Sequence, residues 1–231
     1  MKPANVVLLA AIFAGASYVG SWALPLPPAA AIAWKGAGVG LLALYAGLSA
    51  RSLDGWLLAA LLAFGCAGDV LLETHGFVVG GLAFFVGHLV AIALYLRNRR
   101  PLTLAGLTYA AALFAFIVLS AYLFPKHRET AGAIAVYATG LGAMTAAAWL
   151  SRFPRPLVAA GAIMFAVSDL LIFLRTGRPT LDVPPMSLAV WGLYFAGQAL
   201  VAVGVRRSLD HSSLGLDQAR HDEWSNSKQE S

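Results

Sequence analysis

Long apolar runs separated by short polar segments form the pattern of this chain. Eight runs are long enough to be membrane-spanning helices, because about 20 apolar residues cross the roughly 30 Å of hydrocarbon in a bilayer. They lie at about 4–24, 29–50, 54–73, 77–97, 102–123, 131–150, 156–175 and 184–205. Pro25, Pro27 and Pro28 end the first run, and Pro101 follows the fourth. The pattern predicts an all-α polytopic membrane protein with eight transmembrane helices.

The composition supports this class of protein. Of the 231 residues, 59% are hydrophobic and only 12% are charged, whereas soluble domains carry about 25% charged residues. The first apolar run continues to Leu24, longer than the apolar region of a signal peptide, so we expect a retained helix rather than a cleaved leader. We predict one transmembrane domain over residues 1–207. The polar tail, 208–231, is rich in Ser, Asp and Gln and is expected to be a disordered cytoplasmic segment.

The basic residues are distributed unevenly between the two predicted sides of the membrane. The side that holds the N-terminus carries Lys2, Arg51, Arg97, Arg99, Arg100, Arg152, Arg155, Arg206 and Arg207. The other side carries only Lys126, Arg128, Arg175 and Arg178. Because cytoplasmic loops are enriched in Lys and Arg, both termini are predicted to be cytoplasmic, in the cell inner (plasma) membrane. This topology explains the basic pI of about 9.6, and no nucleic-acid partner is implied.

Three stretches of the first half of the chain match three stretches of the second half, in the same order. AIAWKGAGVGLL at 31–42 matches AIAVYATGLGAM at 133–144, FGCAGDVLL at 64–72 matches MFAVSDLLI at 164–172, and FVGH at 85–88 matches FAGQ at 195–198. The matches predict two parallel four-helix repeats, about 1–100 and 101–207, related by an axis along the membrane normal. The alternative is that Ala- and Gly-rich helices resemble each other by chance.

The repeat pairs two acidic residues that both lie inside predicted helices, Asp69 and Asp169. At 1.5 Å per residue, Asp69 lies about 6 Å and Asp169 about 9 Å below the outer end of its helix. Lys35 and Tyr137 are predicted at nearly the same level. Ionisable residues inside a membrane usually face the bundle interior or a watery cavity and mark function. The alternative is a structural ion pair between Lys35 and one aspartate, but Lys35 neutralises only one of the two at a time.

Two carboxylates at one level in a low dielectric can act as a general acid and a general base, one protonated and one ionised. We therefore predict Asp69 and Asp169 as catalytic residues. Six other residues are predicted to bind substrate or support the site: Lys35, His88, Tyr137, Ser168, Tyr194 and Gln198. The alternative interpretation of Tyr194 and Gln198 is that these residues only link helices.

His88 and the single cysteine bear on metal binding. His88 is either a packing partner or, together with the two aspartates, a metal ligand; no second histidine lies inside a predicted helix to support the metal. Cys66, within the third helix, excludes an intrachain disulfide and a cysteine-based zinc cluster. Glu73, at the outer rim, is interpreted as a solvated charge. We predict no metal and no cofactor.

The motifs together resemble the YhhN-type integral membrane proteins, whose characterised members are lysoplasmalogenases. The resemblance rests on Lys35, the G-D-x-L-L motif at Gly68 to Leu72, the run at Gly81 to His88, Tyr137, the motif from Gly161 to Ser168-Asp169, and the closing Tyr194 and Gln198. These elements cover the second to the eighth helix. Gly36 departs from the family pattern, which usually has proline after the lysine.

The resemblance implies hydrolysis of the vinyl ether bond of a lysoplasmalogen, with a lysophospholipid in the membrane as substrate and a fatty aldehyde and a glycerophospho-headgroup as products. Asp69 and Asp169 would be the acid and the base, and Lys35 would bind phosphate or act on a carboxylate. The alternative from another class is a transporter built on the duplicated four-helix unit. A third alternative, a structural or lipid-binding protein, predicts that the polar residues tolerate alanine.

Overall fold

A computed structural model of the chain describes residues 3–229, with side chains through His211. Within that part the chain forms seven α-helices and one short 3₁₀ turn, Pro179–Leu181. The helices are α1 (Pro3–Ser21), α2 (Pro28–Gly47), α3 (Leu53–Arg97), α4 (Leu104–Leu123), α5 (Arg128–Leu150), α6 (Val158–Arg175) and α7 (Pro184–Gln229). The predicted all-α class is confirmed. The single transmembrane domain over 1–207 stays a prediction. So does the disorder of segment 208–231, in which side chains are described only through His211.

The helix starts follow from local sequence. Pro28 occupies the first turn of α2, where its missing N–H has no helical partner to lose. The hydroxyl of Ser52 accepts a hydrogen bond from the N–H of Gly55 at the start of α3, and Thr103 does the same for Gly106 in α4. These N-caps fix the boundaries that the polar segments predicted.

Helix α3 reverses direction at Gly76. Its backbone there has φ 83° and ψ −177°, a conformation that essentially only glycine adopts. A Cβ placed on Gly80 would lie 2.7 Å from the backbone nitrogen of Leu72, and one on Gly68 would lie 2.6 Å from the ring of Phe84. In a straight helix the first pair would be about 12 Å apart. The two parts of α3, 53–75 and 77–97, therefore pack as an antiparallel helical hairpin.

All seven helices of the described part are long and apolar enough to cross a membrane. The chain is therefore a multi-pass membrane protein by length and composition. The sequence predicted two spans, 54–73 and 77–97, where the structure has one element with a reversal at Gly76. The count of eight crossings and the repeat architecture stay predictions.

The loops lie at two opposite ends of the bundle, as the predicted topology requires. At one end Arg97 forms a 2.8 Å ion pair with Asp54, and the Arg100 side chain donates to the carbonyl of Ser151. At the other end the Lys126 N–H donates to the carbonyl of Thr176. Arg97 and Arg100, assigned to one side by sequence, thus contact the segments at 48–54 and 151–157 at the same end of the bundle.

Glycines bring the helices of the bundle close together. A Cβ on Gly161 of α6 would lie 2.6 Å from the carbonyl oxygen of Gly197 in α7, and the reverse distance is the same. A Cβ on Gly38 of α2 would lie 2.9 Å from the Cα of Gly15 in α1. Small residues allow this backbone approach, which drives helix association in lipid. The approach of α6 to α7 positions the polar residues described next.

Candidate active site

Two buried aspartates each accept a hydrogen bond from a tyrosine on another helix. Asp69 of α3 is 3% exposed and Asp169 of α6 is 8% exposed. The Tyr194 hydroxyl donates to Oδ2 of Asp69 at 2.8 Å, and the Tyr137 hydroxyl donates to Oδ2 of Asp169 at 2.7 Å. A buried carboxyl group without such a partner would cost several kcal/mol. The two tyrosines therefore make the burial of both aspartates possible.

The two Asp–Tyr pairs are linked through ring contacts. The Tyr194 ring contacts Phe165, which contacts His88 beside Tyr137. Within the described residues neither aspartate has a cationic group at ion-pair distance. Two carboxyl groups can hold and transfer protons, and each tyrosine hydroxyl, as a donor, stabilises the ionised form of its aspartate.

His88 lies behind Tyr137 and extends the second pair into a chain of three groups. Its Nε2 is 3.1 Å from the hydroxyl oxygen of Tyr137, and the histidine is fully buried. With the Tyr137 hydroxyl proton on Asp169, the tautomer of His88 that carries a hydrogen on Nε2 donates to the same oxygen. The three residues thus form a directed chain, His88 to Tyr137 to Asp169, with His88 in contact with tyrosine rather than with either aspartate.

Aromatic rings fill the space between the two pairs. The rings of Phe84, Phe165 and Tyr194 lie 5.2–6.0 Å apart, centroid to centroid. The His88 ring packs edge-on against Phe165 at 5.3 Å. Phe84 and Phe165 are not among the site residues predicted from the sequence. Their spacing, four residues before His88 and before Asp169, was the signal that each shares a helix face with a polar group.

Gly65 makes room for two of the polar side chains of α7. A Cβ there would lie 2.9 Å from Nε2 of Gln198 and 3.5 Å from the Tyr194 hydroxyl oxygen. The Gly65 carbonyl lies 3.4 Å from the same hydroxyl. A Cβ at this position would require the end of the Gln198 side chain to shift and would contact the Tyr194 hydroxyl, the group that donates to Asp69.

Lys35 pairs with Glu73 rather than with either aspartate. Its Nζ lies 2.6 Å from Oε1 of Glu73. The alternative interpretation of the sequence, a direct ion pair between Lys35 and one aspartate, is therefore wrong. The physical reason is reach: Glu73 lies one turn beyond Asp69 on α3, with a longer side chain nearer the helix end.

Ser168 links two helices. Its hydroxyl donates to the carbonyl oxygen of Val190 in α7 at 2.9 Å, and the side chain is buried. The hydroxyl proton is thereby engaged with backbone, one residue before Asp169. Ser168 thus contributes to the packing of α6 on α7, which sets the position of Asp169.

A small cavity lies beside His88 and Gln198. It has a volume of about 30 Å³, and its other lining residues are mostly apolar, including Leu61, Met144 and Phe165. A cavity of this size holds a water molecule, but not an alkyl chain. Neither aspartate lines it.

The metal alternative finds no support in the arrangement of side chains. Among the described residues no group of three His, Cys, Asp or Glu side chains is placed to hold a metal ion. His88 binds Tyr137 instead, as described above. The residues that the sequence proposed as a possible ligand set therefore do not form one.

The fold and the site define a multi-pass helical membrane protein with two buried Asp–Tyr pairs joined by aromatic rings. The sequence model of the YhhN family matches residues 30–205, and the chain belongs to this family. The resemblance noted from the motifs is confirmed.

Two mycobacterial proteins are similar to this chain. The lysoplasmalogenases of Mycobacterium bovis (strain ATCC BAA-935 / AF2122/97) and of Mycobacterium tuberculosis (strain CDC 1551 / Oshkosh) are each 33% identical to it over 159 residues. The aligned part is 64% of this chain and 59% of each relative, so the chain spans less than two thirds of the length of these relatives. No solved structure matches the chain.

Proposed function

We propose that this protein is a lysoplasmalogenase, an enzyme that hydrolyses the vinyl ether bond of lysophospholipids within the membrane. The observation that carries the proposal is the pair of buried aspartates, each bound to a tyrosine, in a member of a family that includes proteins with this name. The substrates would be alkenyl-glycerophosphoethanolamine or -choline. The products would be a fatty aldehyde and the glycerophospho-headgroup.

The reaction needs one proton donor and one proton acceptor. A protonated aspartate adds its proton to the vinyl carbon farther from the ether oxygen, which leaves an oxocarbenium ion at the carbon bonded to oxygen. The other aspartate takes a proton from water as the water oxygen bonds to that carbon. The ionised aspartate then takes the hydroxyl proton of the hemiacetal, and the protonated aspartate gives its proton to the glycerol oxygen as the C–O bond breaks, which yields the aldehyde and the glycerol hydroxyl. One water molecule is consumed: its oxygen becomes the aldehyde oxygen, its two hydrogens replace the protons given to the vinyl carbon and the glycerol oxygen, and both aspartates return to their starting states.

The tyrosines hold the two carboxyl groups in place for these transfers. Each phenol donates to Oδ2 of its aspartate, and Tyr137 is itself fixed by His88. Preorganised donors of this kind lower the cost of changing the charge of a buried group. The cavity beside His88 has room for water only and neither aspartate lines it, so the proposal requires the alkenyl chain to enter from the surrounding lipid.

The topology completes the proposal. In the proposed topology the two parts of α3 on either side of Gly76 cross the membrane separately. The chain then crosses eight times, as two four-helix repeats, with both termini on the cytoplasmic side of the inner membrane. Both aspartates then lie nearer the outer face. A reporter fused to the C-terminus and active only in the periplasm should stay inactive; periplasmic activity would contradict this orientation.

The activity is tested with purified protein in detergent and lysoplasmenyl-ethanolamine, by measuring free aldehyde. We expect release by the wild type and a loss of about 100-fold or more in both Asp69→Asn and Asp169→Asn, the usual scale of acid–base catalysis. Asp182→Asn, at an exposed loop aspartate, is the matched control and should keep full activity. No release from folded wild-type protein on any ether or ester lysolipid would refute the enzyme and direct the work to flux assays in liposomes.

A further inference from the structure

The Lys35–Glu73 ion pair lies at the outer end of the helix that carries Asp69. Glu73 follows Asp69 by four residues, so it lies one helical turn, about 6 Å, farther along the same face of α3. Its side chain is 46% exposed, whereas that of Lys35 is 15% exposed. The pair thus borders solvent on one side and the buried aspartate on the other.

Close packing of α2 on α3 holds Lys35 in this place. A Cβ on Gly36 would lie 2.9 Å from a methyl group of Val70, and the Cys66 thiol donates to the Gly36 carbonyl at 3.3 Å. The glycine that departs from the family pattern therefore sits at a helix contact. The lysine beside it has little freedom to move away from α3.

Because the Glu73 side chain is nearly half exposed, it can exchange Lys35 for another partner. Ion pairs open to solvent contribute little to stability, because water and salt compete with the contact. A ligand with one negative and one positive group can break the Lys35–Glu73 ion pair and form two new ones, its negative group with Lys35 and its positive group with Glu73. The net charge beside Asp69 is then unchanged.

Charge balance also selects the ligand. If a phosphate alone occupied Lys35, Glu73 would lose its cation and would lie beside the phosphate as a second negative charge. Repulsion between these like charges would then oppose binding. A headgroup that carries an ammonium next to its phosphate supplies the missing cation to Glu73.

We propose that Lys35 and Glu73 form a binding site for a zwitterionic headgroup, with Lys35 on the phosphate and Glu73 on the ethanolamine or choline ammonium. Within the proposed function, on which this inference rests, the site sets the headgroup preference. The phosphate lies one glycerol away from the vinyl ether. Anchoring it one helical turn from Asp69 brings the reactive bond toward that carboxyl group.

Binding of uncleavable analogues tests the site without turnover. The probes are three 1-alkyl lysolipids of one chain length, whose saturated ether resists hydrolysis: the phosphocholine, the phosphoethanolamine and the phosphate without an amine. Titration calorimetry in detergent gives their Kd values. The wild type should bind both zwitterionic probes about tenfold or more tightly than the phosphate.

The variants separate headgroup binding from a purely structural ion pair. Glu73→Gln should lose the preference, binding the zwitterionic probes about tenfold more weakly and the phosphate as well as or better than the wild type does. Lys35→Gln should weaken binding of all three probes. Glu129→Gln removes another acidic side chain at the same end of the bundle and should change none. Equal effects of Glu73→Gln on the three probes, or no preference in the wild type, would overturn the site.

Two further measurements keep the result decisive. Glu73→Asp retains a carboxylate and should retain part of the preference, which covers the case in which Glu73→Gln does not fold. Aldehyde release from the alkenyl lipids is measured in parallel. Headgroup preference without release would refute the hydrolase and keep the site, whereas release without a Glu73-dependent preference would refute the site and keep the hydrolase.

Discussion

The hydroxyl group of Tyr194, on the last helix, donates a 2.8 Å hydrogen bond to Asp69, which lies 125 residues earlier on α3. This bond joins the first half of the chain to the second at the level of the buried aspartates. It also shows that the polar residues belong to one connected arrangement, because the Tyr194 ring contacts Phe165, which contacts His88.

Removal of the Tyr194 hydroxyl should destabilise the protein and reduce its activity. In Tyr194→Phe the buried Asp69 loses its partner, which costs about 1–3 kcal/mol. Thermal unfolding in detergent should show a lower Tm, and aldehyde release should fall. Tyr109→Phe, at a half-exposed tyrosine of α4, removes a hydroxyl group far from Asp69 in the chain and should leave the Tm and aldehyde release unchanged. Equal Tm values for the two variants would contradict a stabilising role for the bond.

His88 and Tyr137 should be energetically coupled. Their side chains are in contact at 3.1 Å, and residues that share a network deviate from additivity by about 0.5–3 kcal/mol. The double-mutant cycle uses Tyr137→Phe and His88→Phe, both of which keep an aromatic ring in place. His88→Phe should cost less stability in the Tyr137→Phe background than in the wild type. Strictly additive losses would show that the chain of hydrogen bonds contributes nothing.

Gly65 should not tolerate a side chain. Gly65→Val would place atoms within contact distance of Gln198 and Tyr194, so we expect a loss of activity on the scale of the Tyr194→Phe variant or larger. Gly81→Ala is the control on the same element, since a Cβ there meets nothing within 4 Å. In a helix that change can stabilise by up to about 1 kcal/mol. Full activity of Gly65→Val would mean that the α7 side chains can move without cost.

Gly76→Ala should weaken the hairpin of α3. An alanine at φ 83° and ψ −177° is strained, which costs of order 1–3 kcal/mol. The yield of folded protein and its Tm should both fall. Gly192→Ala, at a glycine with open space and no positive φ, is the comparison and should be close to neutral. A wild-type Tm for Gly76→Ala would argue against the reversal at this residue.

The sequence by itself determined the all-α class, the presence of several helices apolar enough to span a membrane, and the position of the two aspartates inside helices, because hydropathy and helical rise are local properties. It also predicted which loops share an end of the bundle, through the alternation of the spans. Tyr137 and Tyr194 lie inside apolar runs, where a polar side chain requires a partner, and each donates to an aspartate. Their role in substrate binding stays a prediction.

Only the tertiary structure decided which of these groups touch. Lys35 pairs with Glu73, Tyr194 with Asp69 and His88 with Tyr137, and none of these pairings follows from the repeat. The rotation of each helix about its axis decides which side chains meet. That rotation is set by glycine contacts such as Gly161 on Gly197, between residues distant in the chain. Helical periodicity gives the depth of a residue, but its partner depends on this packing.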